Sequence, residues 1–146
     1  MNNKFFVTSL LLLTSLSNLA VAAEAELRIE EAWIAEAPPV SKVMVAYMTI
    51  INTGPQTIDI IDADSDVYSS IEFHETVYED GMARMIRHDS LNIPAGERLV
   101  LKRGGPHFML FNPARQLSAG DTVDITLTTK NHETKTVSIA VKKAQF

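Results

Sequence analysis

The stretch Arg103-Gly104-Gly105-Pro106-His107-Phe108-Met109-Leu110 places an imidazole and a thioether two positions apart, just past a turn-forming run. On a strand, residues two apart share a side, so His107 and Met109 would point one way and Phe108 and Leu110 the other, toward a core. The paired glycines permit a sharp approach, and Pro106 fixes the angle at which the strand begins. Both side chains are competent metal donors, but two donors do not make a site. A third sits in Ile71-Glu72-Phe73-His74-Glu75-Thr76, where Ile71 and Phe73 take the core parity and turn His74 outward. Met85 follows the turn Glu79-Asp80-Gly81, the strongest hairpin signal in the chain, because Asp-Gly tolerates the positive φ of a tight turn. A hairpin closing there brings the strands of His74 and Met85 side by side. If the end of the His107 strand lies over that hairpin, two imidazoles and two thioethers converge.

Thioether sulfur is soft and neutral, and together with imidazole it suits Cu(I) well above Zn(II), Mg(II) or Ca(II). A monovalent ion also fits a ligand set that carries no negative charge. The histidines must be neutral to bind, so affinity should weaken as pH falls through the imidazole range. The chain has no cysteine, which removes thiolate copper or zinc sites, disulfides and thiol redox chemistry. No Ser-His-Asp order, nucleophile elbow or paired-carboxylate motif is visible, so an enzyme is not expected.

The other candidates read as ordinary structure. Met44 and Met48 belong to a strand whose two faces are both partly buried, and they are expected in the core. Met82, beside the hairpin turn, is a reserve ligand. His88 and His132 are expected in solvent, and Trp33 in the core. The acidic run Asp62-Ala63-Asp64-Ser65-Asp66 superficially resembles a calcium loop but lacks its Gly and later Glu.

These residues need a scaffold of short strands. β-branched and aromatic runs near 27–34, 43–51, 57–61, 71–77, 82–88, 98–102, 107–111, 122–128 and 136–141 are separated by Gly, Pro and Asn turns. Val123, Ile125 and Leu127 alternate with Asp124, Thr126 and Thr128, as in a half-buried strand. Many short strands at this spacing predict an all-β sandwich in a single domain. Residues 1–22 read as a cleaved signal peptide: Lys4, an apolar run broken by Ser and Thr, then Ala20-Val21-Ala22, with cleavage after Ala22 or Ala25. The mature domain, 23–146, is then exported and soluble, with no stable membrane insertion. Losing Lys4 changes the net charge from −5 to −6. An acidic surface argues against nucleic acid, which requires a basic face.

The spacing His74-x10-Met85-x21-His107-x-Met109 resembles the ligand motif of the periplasmic copper(I) chaperone family called PCu(A)C. Phe73-His74-Glu75-Thr76, Asp80-Gly81, Ile93-Pro94-Ala95-Gly96-Glu97, Gly104-Gly105 and the early Ala32-Trp33 are also similar to family sequence. The resemblance implies a cupredoxin-like or immunoglobulin-like Greek-key β-sandwich with His74, Met85, His107 and Met109 as Cu(I) ligands. It implies a periplasmic metallochaperone that passes Cu(I) to a copper-accepting protein, such as a cytochrome c oxidase subunit or a Sco-type protein, and a monomer is expected. Pro106 departs from the aromatic residue common before the second His, Asn112-Pro113 from a more flexible continuation, and Glu75 from the extra Met of some members. The His- and Met-rich tail of certain relatives is missing, which speaks against a second, Cu(II) site. The rival readings are copper storage or resistance, a copper redox protein, which the missing Cys disfavours, and a metal-free binding module.

Overall fold

The computed structural model describes residues 25–144, so the signal-peptide reading of 1–22 lies outside the described residues. Ten strands follow in chain order: β1 (Leu27–Ala35), β2 (Val43–Asn52), β3 (Ile58–Asp64), β4 (Tyr68–Glu79), β5 (Met82–His88), β6 (Leu91–Ile93), β7 (Arg98–Leu101), β8 (Pro106–Pro113), β9 (Thr122–Thr129) and β10 (Thr134–Lys142). Hydrogen bonding runs through all of them in the order β5-β4-β8-β2-β1-β10-β9-β3-β6, with β7 also on β2. The sheet folds back on itself, so β3 touches β4 and the inner faces of both halves enclose one core. Phe73, Phe108 and Leu110 on one wall and Ile125, Leu127 and Ile139 on the other belong to that core, and Met44 and Met48 are buried in it as expected. Among the described residues no helix is long and apolar enough to cross a membrane.

Local chemistry accounts for the features that position the site. The β4–β5 hairpin closes through Asp80 and Gly81, both at positive φ (51° and 76°), the two-residue turn whose twist matches its strands. Gly104, at φ 74°, turns the chain from β7 into β8. The edge of β2 is shared, with residues 43–46 pairing β8 and residues 48–51 pairing β7. Asn52, fully buried, anchors the short β6: its amide donates to the carbonyls of Ile93 (2.9 Å) and Gln56 (2.6 Å), and its Oδ1 accepts from Gly54 N–H (2.9 Å). β6 was not anticipated, since three residues are too short to show a period.

Trp33 is not a core anchor. A bulge between Glu30 and Trp33, with Glu31 at φ 52°, inserts one residue into β1 and inverts its parity. Leu27 points inward before the bulge and Ile34 after it, which leaves Trp33 on the outer face against Tyr47, ring centroids 5.0 Å apart. His88 is also not simply solvated: its Nε2 lies 2.9 Å from Glu75 Oε2. His132 is exposed, in a turn at φ 63°.

Candidate metal centre

Residues directly opposite on antiparallel strands point to the same face. The β4–β8 register sets His74 opposite His107 and Glu72 opposite Met109. The β4–β5 register sets Arg87 opposite His74 and Met85 opposite Thr76. Because 72, 74 and 76 share a parity, His74, Met85, His107 and Met109 all lie on one outer face, with Glu72 and Arg87 among them. The inner face beneath is apolar: Phe73 and Phe108 pack with their rings tilted by 39° and centroids 5.2 Å apart, directly behind the two histidines. Single alternation thus sends four bulky rings to two sides of one ladder, two to the core and two to the site.

The two histidines come together differently from the expected way. The His107 strand does not lie over the hairpin; it is hydrogen-bonded to it, as the next strand of the same sheet. The two imidazoles are therefore cross-strand neighbours, 6.2 Å between centroids and 30° from parallel. Met109 is one step along β8 from His107. Met85 stands diagonally from His74 on the edge strand β5 and is 55% exposed, whereas His107 is only 6% exposed. Met82 pairs with Glu79, which has the other parity, so the reserve ligand faces away from the site.

Hydrogen bonds prepare the histidines unequally. His107 Nδ1 lies 2.9 Å from Gly105 O, a carbonyl that also accepts Thr76 N–H (3.1 Å) and so ties the turn to β4. His74 Nε2 lies 2.8 Å from Glu72 Oε2, and Arg87 Nη1 lies 3.5 Å from the other oxygen of that carboxylate. Among the described residues, His74 Nδ1 is the buried side-chain nitrogen or oxygen left without any hydrogen-bond partner. An enclosed, unpartnered polar atom costs about 1–3 kcal/mol, which a bound cation would offset. No group of three or more His, Asp or Glu side chains is gathered as a metal site among the described residues. What the face offers is a nitrogen and thioether set, suited to a soft ion. Asp62 and Asp64 are exposed on β3, and Asp62 lines a small pocket together with Glu72 and Arg87.

Sequence reasoning passed over Glu72 and the Gly105 carbonyl. Glu72 had a signal, since it stands two residues before His74 and therefore on its face. The carbonyl had none, because backbone groups leave no trace in residue type.

A family model, LpqE-like, described as a lipoprotein family, matches residues 27–141. A protein of Leifsonia xyli subsp. xyli, named as a putative lipoprotein, is 34% identical over 116 residues, 79% of this chain and 69% of that protein. Among solved structures, the Cu(I) form of DR1885 from Deinococcus radiodurans is 34% identical, with TM-score 0.62, covering 85% of this chain and 82% of that one. The copper-bound PCuAC domain of PmoF2 has TM-score 0.70 at 21% identity, covering 84% of this chain and 97% of that domain, a likeness of fold. The chain belongs to the LpqE-like family and has the β-sandwich fold of the PCu(A)C copper domains, the family that its His74, Met85, His107 and Met109 spacing resembles.

Proposed function

We propose that this protein is an exported, periplasmic copper(I) chaperone that carries Cu(I) as cargo on His74, Met85, His107 and Met109. The observation that carries the reading is the pairing of His74 with His107 on one face, with both methionines on that face and a buried imidazole nitrogen lacking any partner. A relative at 34% identity that is solved with Cu(I) bound supports the choice of ion.

Transfer is an exchange of ligands in which copper stays Cu(I) throughout. His74, His107 and Met109 stand on strands paired on both sides, whereas β5 is an edge strand. Met85 is accordingly the ligand that leaves first, giving a partner's soft donor its place in the coordination shell. The remaining three hold the ion until a second donor arrives, so copper is never released free. The acceptor proposed is a copper-site protein such as a cytochrome c oxidase subunit or a Sco-type protein, and the carrier acts as a monomer.

Titration with Cu(I) against a competing chelator tests the reading. One equivalent bound in wild type, weakened by His74→Ala and by Met109→Ala, is expected. No binding would leave a metal-free module, and tight binding with no transfer to a copper-free acceptor domain would leave storage or resistance.

A further inference from the structure

His74 and His107 face each other, yet each is hydrogen-bonded through a different ring nitrogen. His107 meets a carbonyl, which can only accept, so its Nδ1 carries the proton and Nε2 keeps the lone pair. His74 meets the Glu72 carboxylate through Nε2, which places the proton there and the lone pair on Nδ1, the buried atom without a partner. Glu72 itself is held from its other side by Arg87, directly opposite His74 on β5.

We propose that Glu72 is a positioning residue that commits His74 to bind through Nδ1, while the Gly105 carbonyl commits His107 to bind through Nε2. The inference rests on the copper reading above. A mixed pair suits this ladder. The two imidazoles are neighbours on one sheet face, 6.2 Å between centroids, and their hydrogen bonds engage His74 Nε2 and His107 Nδ1, which leaves His74 Nδ1 and His107 Nε2 as the nitrogens to ligate. The carboxylate also keeps the His74 ring from rotating, because a turn of half a revolution would bring a carbon to the oxygen. With both its oxygens engaged, Glu72 is kept as an acceptor for His74 and Arg87.

Long-range proton–nitrogen NMR on ¹⁵N-labelled copper-free protein reads the proton positions directly. His107 should show the Nδ1–H form, which is uncommon for a free imidazole, and His74 an Nε2–H whose exchange with water is slowed. Adding Cu(I) should shift His74 Nδ1 and His107 Nε2. Glu72→Ala should lose the slowed Nε2–H and bind Cu(I) roughly 10–100-fold more weakly in a chelator competition, the usual range for a carboxylate supporting a metal-bound histidine. Glu72→Gln, whose amide oxygen still accepts, should recover most of that loss, which a merely structural role would not produce. Copper on His74 Nε2, or a Glu72→Ala protein that binds like wild type, overturns the proposal while leaving the copper reading standing. A wild-type protein that binds no Cu(I) overturns both, although the copper-free spectrum still reports the two hydrogen bonds.

Discussion

The two walls of the sandwich follow one rule on their inner faces and two different rules outside. On β9 and β10 the inward positions are Val123, Ile125, Leu127, Ile139 and Val141, and the outward ones include Asp124, Thr126, Thr136 and Ser138, which hydrogen-bond across the strands. On β4 and β8 the inward positions are equally apolar, Ile71, Phe73, Phe108 and Leu110, but the outward ones are Glu72, His74, His107 and Met109. The core therefore does not distinguish the walls; the candidate site sits on an outer face, where core packing makes no demand. The methionines repeat the lesson. Met44 is buried and its sulfur accepts the Tyr68 hydroxyl at 3.4 Å, whereas Met85 stands more than half exposed on an edge strand.

Substitutions can break or sharpen this contrast. The largest effect should come from the shared core: Phe108→Ala should cost about 3–5 kcal/mol in denaturant unfolding, as for a fully buried aromatic. A much smaller loss would mean that the β8 wall is not packed like its counterpart.

The Tyr68–Met44 contact gives a pH test. Burial pushes the Tyr68 hydroxyl up to about 12 from 10.0, against an opposing pull from Arg115. The native state thus keeps a proton that the unfolded chain releases near pH 10. Tyr68 contributes fully below that pH and its contribution, on the order of 2 kcal/mol, is lost as pH climbs toward 12. Tyr68→Phe should flatten this alkaline decline in a pH series of melting curves; an unchanged decline would place its cause elsewhere.

Gly104→Ala should cost roughly 1–2 kcal/mol, because an alanine is strained at φ 74° although its Cβ would meet nothing closer than the Tyr78 hydroxyl at 3.9 Å. The same change should also weaken Cu(I) binding, since this turn delivers His107. The smallest effect on stability belongs to Met85→Ala, within about 0.5 kcal/mol, matched by Thr126→Ala on the other wall. Only Met85→Ala should weaken Cu(I), by roughly tenfold or more, a difference of at least about 1.4 kcal/mol in binding. Equal copper affinity in the two variants would remove Met85 from the ligand set.

Most of the fold was legible because alternation is a property of single strands. The inward parity of Phe73, Phe108 and Leu110, the outward turn of His74, and the Asp80-Gly81 hairpin all follow from neighbours along the chain. Pairings between distant segments were not legible. Nothing in the residues of β4 and β8 states that they share a ladder, which is why the histidines were expected to meet by overlap and meet instead by register. Trp33 was misplaced for a related reason: one extra residue at Glu31 reverses every later side chain on β1, and no residue type there announces it. Glu72 was legible by parity and overlooked, because a lone carboxylate on a strand reads as solvated charge until its histidine partner is seen.

Copper K-edge absorption on the Cu(I)-loaded protein tests the central claim most directly, with wild type set against Met85→Ala and Met109→Ala. The account predicts a first shell of nitrogen and sulfur in wild type and a drop in sulfur scattering in each variant. Sulfur scattering that persists unchanged in both, or a wild-type shell with no sulfur, would contradict it.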